Sequence, residues 1–430
     1  MRYSVILLLI FAFSASFAVQ TSVGTIIKAY TIKMQLDTTL KRIIIRSLID
    51  IEKVDTNRCT NLFLSSSIAI DSVKVNGRKL KFSRVGDTLC LEFGIFKRSK
   101  LIFWYSIPID SFMYGKAIVL TRGMKWCPYL HDNISVLKSE VTVPNGYKVY
   151  SSGTLESRSI GENNCTYIYS NKINSGLPFI IAPIDYYSEI RKQQNSISIK
   201  YCFLNKDTSL QKSIITESLS ALKFCSSYIG NYHRKQLTYI EVPKFGSAQS
   251  LETLILMSSE FIKYFSLYKD MRFWVAHETI HQWIGVGYFN SIYNLPQYGA
   301  FIEESLTEYM RYVYLEKAFG ADSLAGQIKY VVNIYNKEIK GTDQDVAITS
   351  NKPSRVIYCN APLIFHEVRM DIGDIKWQSF IRKLYSKYYG RCIDYENFKK
   401  TLRLYATKDV INQMEKYANM RGIPDKIVCK

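Results

Sequence analysis

The chain has 430 residues, 47% of them hydrophobic and 14% aromatic, with a formal net charge of +19. This length exceeds one ordinary core and implies two or three domains, and the apolar content excludes disorder or low complexity for the bulk of the chain. The basic balance favours contact with anionic surfaces, but the lysines and arginines are spread thinly and accompany no zinc-finger, helix-turn-helix or RNA-binding motif, so no nucleic-acid partner is expected.

In chain order, residues 1–18 come first: Arg2 precedes the apolar run Val5 to Phe13, and Ser16-Phe17-Ala18 offers a small-x-small cleavage site. This pattern predicts a signal peptide and export to a periplasm or the extracellular space; the alternative is an uncleaved membrane anchor. No later segment is apolar over enough length to be a second span. From Ile26 to Ser188 the chain alternates β-rich runs with turns, as in Arg42 to Ile49, Leu89 to Phe93 and Leu101 to Tyr105. Asn76-Gly77 marks a tight hairpin and Pro144-Asn145-Gly146-Tyr147 another turn, so residues 19–188 are expected to form an all-β domain of sandwich or saddle type. Beyond Asn195 the texture changes. Ser196 to Tyr201 and Leu237 to Val242 read as strands, whereas Ser209 to Tyr228, Met271 to Ile284 and Phe301 to Lys317 have helical period. From Leu324 onward nearly everything is helical, with turns at Gly341, Pro353, Gly373 and Gly390. The expected fold class is therefore α+β and multidomain: a β domain, a mixed α/β domain over 189–345, and a helical region over 346–430. The chain has neither an internal repeat nor a Pro/Ser/Gly linker, so the domains should pack directly together. Nine cysteines lie beyond the signal segment without a CxxC pair, which removes support for a cysteine zinc cluster; the odd count leaves at least one thiol outside any intrachain disulfide.

The chemistry concentrates at His277-Glu278-Thr279-Ile280-His281. Two histidines four apart on a helix leave the same face one turn from each other, which suits adjacent corners of a zinc tetrahedron. Glu278 points to the neighbouring side, where it can reach a water rather than the metal itself. Asp270 is a candidate N-cap, and Gly285 and Gly287 stop the helix. Only five histidines occur in the chain, and two of them fall into this motif, which weighs against accident. A third ligand must come from elsewhere. In Phe301 to Tyr309, the stripe Ile302, Leu306, Tyr309, Met310 and Val313 should face the core. Glu303 flanks that stripe and reads as a surface residue; Glu304 and Glu308 lie on the opposite side, and periodicity leaves both as candidates.

His277-Glu278-Thr279-Ile280-His281-Gln282-Trp283-Ile284-Gly285 resembles the HExxHQWFG motif of the M1 metallopeptidases, the aminopeptidase N and leukotriene A4 hydrolase group of gluzincins. Glu304-Ser305-Leu306-Thr307-Glu308-Tyr309 is similar to the family's E-G-F-A-x-Y segment, which makes Glu304 the third ligand. The gap from His281 is longer than the family's by roughly one helical turn, with the extra residues expected between Asn290 and Gly299. Tyr358-Cys359-Asn360-Ala361-Pro362-Leu363 is similar to the family's Y-x-K-G-A-x segment, whose tyrosine stabilises the oxyanion; the resemblance thus singles out Tyr358 among 32 tyrosines. Gln249-Ser250-Leu251-Glu252-Thr253 stands where the family carries G-x-M-E-N and keeps its glutamate, making Glu252 the candidate anchor for a substrate amine. Trp126-Cys127-Pro128 and Val141 to Tyr147 are similar to segments of the family's N-terminal saddle. The resemblance implies a compact form with a saddle, a thermolysin-like catalytic domain and a partial helical cap.

The implied activity is zinc-dependent hydrolysis of peptides, of aminopeptidase type. Zn²⁺ would be held by His277, His281 and Glu304, with Glu278 as general base, Tyr358 as oxyanion donor and Glu252 binding substrate. The competing expectations are a catalytically silent exported binding protein on the same fold, motivated by the altered Gln249 to Thr253 run, and a metalloendopeptidase.

Overall fold

Alternation of buried and exposed side chains dominates the first half of the chain. In the strand Arg42–Lys53, Ile43, Ile45, Ile49 and Ile51 face inward while Ile44 is 44% exposed, the period-two signature of a sheet with one wet face. The computed structural model describes residues 25–423 apart from 54–58, 94–96, 131–134, 175, 247, 268–272, 291–295 and 351–354. Arg42–Lys53 lies between Thr25–Asp37 and Arg98–Pro108 in an eight-stranded sheet. All neighbours in that sheet are antiparallel except Thr25–Asp37 with Ser135–Pro144. Three-stranded and four-stranded sheets complete the β half.

The Asn76-Gly77 hairpin forms as its sequence requires: both residues take positive φ, 47° and 85°, and join Ala69–Val75 to Arg78–Lys79. The turn at Asn145-Gly146 does something else. It carries the chain out of the large sheet into Tyr147–Ser151, which pairs with Phe179–Pro183 in the four-stranded sheet. Beneath the sheets Trp126 is fully buried, its indole N–H donating to the Leu177 carbonyl at 3.2 Å and its ring edge-on to Phe179.

The second half is built on a five-stranded mixed sheet in the order Ser188–Gln194, Ile197–Phe203, Gln236–Val242, Leu254–Ser258, Ala248–Leu251. The three inner strands are parallel and the two edges antiparallel. The helix Thr208–Tyr228 starts where the Asp207 carboxylate accepts the backbone N–H groups of Ser209 and Leu210. One apolar core runs from Ile197 to Ile423. The terminal helices, Asn360–Ile372 to Lys408–Ala418, thus close over the same core as the sheet. Among the described residues no helix is long and apolar enough to cross a membrane. Cys90 is disulfide-bonded, while Cys127, Cys165, Cys202, Cys225 and Cys359 are buried thiols.

Two expected elements differ in extent. The helix carrying the paired histidines runs Phe273–His281, short of Ile284. Its last turn tightens, with the Gln282 N–H donating to the Thr279 carbonyl, and Gly285 at φ 86° turns the chain away. Its proposed cap, Asp270, lies outside the described residues, as does Pro353. The helix expected from Phe301 opens with a wide π turn over Phe301–Ser305 and becomes regular over Leu306–Phe319. Part of the extra length before it is a short helix, Pro296–Ala300.

The halves meet where the Gly153 N–H donates to Thr253 Oγ1 at 3.0 Å and the Gly153 carbonyl accepts from the Gln236 side chain. Gly153 has φ 83°, and a Cβ there would sit 2.2 Å from the Ser170 carbonyl oxygen. Gly77 has a similar φ but open space around it. Gly77→Ala should therefore cost only the left-handed conformation, about 1–2 kcal/mol, whereas Gly153→Ala should cost clearly more because backbone must also move. Urea denaturation of the two variants, followed by tyrosine and tryptophan fluorescence, checks the order; equal midpoints would contradict it.

Candidate metal centre

The helix Phe273–His281 is held from three sides before any metal is considered. Thr279 Oγ1 lies 2.8 Å from the hydroxyl of Tyr239 on the central strand. Gln282 donates through Nε2 to the Leu251 carbonyl at 2.9 Å and accepts the Thr253 N–H at 3.2 Å, so it clamps the hairpin between the two outer strands. Trp283, fully buried, donates to the Gly230 carbonyl at 2.8 Å. Gly285 is needed for its φ and also for space, since a Cβ there would lie 2.6 Å from Glu303 Cγ. Glu303, which the pattern assigned to the surface, is half-buried against that glycine.

On this platform His277, His281 and Glu304 each present one ligand atom, all within 4.8 Å of one another. The two Nε2 atoms are 3.0 Å apart, and Glu304 Oε2 lies 3.6 Å from His277 Nε2 and 3.4 Å from His281 Nε2. Ligands about 2.0–2.1 Å from a tetrahedral zinc are separated by about 3.3 Å, so the three atoms have the spacing of one face of such a site. Two nitrogens and one carboxylate oxygen are the donor chemistry of a catalytic zinc with a position left for water. The rings are oriented for it. His277 Nδ1 pairs with Glu308 Oε2 at 2.9 Å, and His281 Nδ1 faces the Ile284 carbonyl at 3.1 Å, which leaves both Nε2 atoms for an ion.

Glu308 is itself buried and is gripped by Arg311, whose Nε reaches Oε2 at 2.9 Å and whose Nη2 reaches Oε1 at 2.5 Å. Burial alone would raise its carboxyl, but Arg311 and His277 bring it down to about 2. Burial likewise works to lower His281, yet Glu304, then Glu278 and Glu303, carry it up to about 10. His277 is raised by Glu304 and Glu308 against the same burial effect. A metal ion binding here must therefore displace protons from imidazoles that carboxylates favour in the charged form.

Glu278 sits beside His277 with its carboxylate Oε2 accepting from Ser250 Oγ at 2.8 Å. Tyr358 donates through its hydroxyl to Glu304 Oε2 at 2.9 Å, and its ring centroid lies 6.2 Å from that of His277. Burial, reinforced by Glu304, raises the Tyr358 phenol well above its ordinary value, so it stays a proton donor. Glu252 stands at the tip of the hairpin, 4% exposed. Its Oε1 pairs with Arg234 at 2.8 Å and its Oε2 accepts from Asn171 of the β half at 2.5 Å.

The five residues His277, Glu278, His281, Glu304 and Tyr358 thus come together at one place. Sequence reasoning held Glu308 as an alternative ligand; it lies behind His277 instead, and its spacing four residues after Glu304 was the signal. Ser250, Arg234, Asn171 and Arg311 were missed, because only Ser250 fell within a motif, and there it occupied the unspecified position.

No family model and no curated protein matches this chain by sequence. Solved structures do match by fold. An M1 zinc metallopeptidase from Deinococcus radiodurans, crystallised as a glutamate-to-alanine mutant, superposes with TM-score 0.75 at 12% identity over 95% of this chain and 97% of that one. The same mutant bound to the substrate Tyr-Ser-Ala gives TM-score 0.72 at 11% identity, covering 95% and 97%. A two-domain M1 zinc metallopeptidase mutant bound to L-tryptophan gives 0.71 at 11%, covering 94% and 96%. Over nearly its whole length, a sheet-rich amino-terminal region followed by a helical carboxy-terminal one, the chain has the two-domain fold of the M1 zinc metallopeptidases.

Proposed function

We propose that this chain is an exported zinc peptidase that removes residues from the amino ends of peptides. The observation that carries the reading is the triplet His277, His281 and Glu304, whose ligand atoms lie within 4.8 Å of one another with both histidine rings fixed from behind. In this reading the second half of the chain is a thermolysin-like catalytic domain and the first a saddle-like domain. When bound, zinc supplies a Lewis acid that polarises the scissile carbonyl and acidifies a water.

The chain's own residues do the rest. Glu278 takes the proton of the attacking water on its carboxylate and delivers it to the departing nitrogen. Tyr358, kept protonated, turns its hydroxyl from Glu304 toward the oxyanion, a contact worth several kcal/mol of barrier in such sites, on the order of 3 kcal/mol. Glu252 anchors the substrate's ammonium group. The structural neighbours support a peptide substrate, since one was crystallised with Tyr-Ser-Ala and another with L-tryptophan.

Glu278→Gln should lower kcat at least about 100-fold while zinc stays bound; unchanged turnover measured on an aminoacyl-fluorophore would remove Glu278 from the reaction. Glu308→Gln should weaken zinc affinity about tenfold or more, read by competition with a chelating dye. An unaltered affinity would mean that His277 is oriented by other groups.

A second reading, a metalloendopeptidase, is favoured by one observation: the Glu252 carboxylate is paired with Arg234 and hydrogen-bonded to Asn171. Mass spectrometry of digests of one peptide, with a free and with an acetylated amino terminus, separates the two. The aminopeptidase reading expects single residues released from the free peptide and none from the blocked one. Internal cleavage of the blocked peptide at a similar rate would select the endopeptidase. A chain that holds zinc and cleaves neither is the silent binding protein.

A further inference from the structure

The edge strand Ala248–Leu251 runs alongside the helix that carries the two histidines, and it is fixed there by both ends of the Gln282 amide. Alternation along the strand directs successive side chains to opposite faces. Leu251 is buried in the apolar cluster shared with the β half, and Ser250 turns to the helix.

The Ser250 hydroxyl meets two acceptors of one residue: the Glu278 carbonyl oxygen at 2.6 Å and the Glu278 carboxylate Oε2 at 2.8 Å. Each has a reason to need it. In a continuing helix the Glu278 carbonyl would accept the Gln282 N–H, but that N–H donates to Thr279 instead, where the last turn tightens. Glu278 is 9% exposed, and its carboxylate sits at the end of a side chain with three rotatable bonds. A hydroxyl on a neighbouring, rigidly clamped strand has one proton to give, shared between the backbone carbonyl and the head group of the same residue. With Oε2 on Ser250, Oε1 is the oxygen that Ser250 leaves open.

We infer that Ser250 is a positioning residue for the reaction: it holds Glu278 in the one rotamer from which Oε1 can take the proton of the attacking water. This rests on the zinc-peptidase reading above. Ser250 touches neither ligand nor substrate and acts only through Glu278. The serine stands at the unspecified second position of the run aligned with G-x-M-E-N, where its hydroxyl gives Glu278 a partner.

The test compares zinc-loaded wild type with Ser250→Ala, Ser250→Thr and Ser250→Val, the last two being nearly the same shape with and without the hydroxyl. The loss of a hydrogen bond to a charged group predicts a kcat about tenfold lower in Ser250→Ala and Ser250→Val. KM and zinc stoichiometry should not change, and Ser250→Thr should restore the rate. Crystal structures of the same four proteins give a readout independent of turnover. The Glu278 carboxylate should occupy one conformer in wild type and Ser250→Thr and spread over several in the other two. A single unchanged Glu278 conformer in Ser250→Ala overturns the inference, as do rates within twofold of wild type in Ser250→Ala and Ser250→Val. An equal fall in Ser250→Thr and Ser250→Val overturns it too, since strand packing alone would then be responsible. If zinc-loaded wild type hydrolyses nothing, the peptidase reading fails, and the conformers of Glu278 still decide whether Ser250 holds it.

Discussion

The arrangement depends on a buried chain of charge: Arg311 holds Glu308, Glu308 holds His277 through Nδ1, and His277 thereby presents Nε2 to the same point as His281 and Glu304. A buried carboxylate without a partner would be costly. Arg311 removes that cost, lying over the Trp274 and Tyr312 rings at 5.5 and 5.0 Å. The same guanidinium that stabilises Glu308 as an anion strengthens its grip on the imidazole, because a charged acceptor makes the stronger hydrogen bond. Stability and ligand geometry therefore rest on the same three side chains.

The site also needs its second wall to be in register with the helix, and Gln282 supplies that link. Its amide bonds both sides of the outer hairpin, where Thr253 takes φ 57° to close a two-residue turn. Ser250 and Glu252 flank this anchor point, so their positions relative to Glu278 follow from one side chain three residues beyond Thr279 and three before Gly285. The motif's glutamine, tryptophan and glycine thus do different jobs: one positions the hairpin, one fills the core and bonds Gly230, and one ends the helix while leaving room for Glu303.

Much of this was legible in the sequence, for physical reasons that differ by element. Strand alternation from Arg42 to Lys53 and the Asn76-Gly77 turn are local properties, and the chain obeys them. Glu304 and Glu308 were legible as a pair because they lie four apart on one helical face; periodicity could not choose between them, and only the resemblance singled out Glu304, whereas the place of Glu308 behind His277 is fixed by tertiary packing. The wide turn at Phe301–Ser305 was illegible, since nothing in Phe301 to Ser305 departs from an ordinary helical pattern. Arg234 and Asn171 were out of reach for another reason: they lie 18 and 81 residues from Glu252, and Arg234 meets it only when the five-stranded sheet forms, Asn171 only when the two halves of the chain close. The passage of Asn145-Gly146 between sheets rather than into a hairpin is likewise a long-range outcome, decided by the pairing of Tyr147–Ser151 with Phe179–Pro183.

That closure bears on the proposed role of Glu252 as the anchor for a substrate's amino end. Glu252 is buried, its carboxyl is lifted by burial against the pull of Arg234, and Arg234 is in turn raised by Glu252. The pair is therefore a neutral unit in a low-dielectric seam, with Asn171 already on Oε2. A carboxylate has about four lone-pair directions, so an arriving ammonium still finds an acceptor. What it does not find is net negative charge, and it must approach a guanidinium of its own sign. Attraction for a free amino terminus then comes from hydrogen bonding more than from Coulomb energy, and it falls below that of an unpaired buried carboxylate. Under the proposed aminopeptidase reading, a site built this way would discriminate less sharply between charged and blocked amino termini than its motif implies. Under that reading the β half, through Asn171, would set part of that preference.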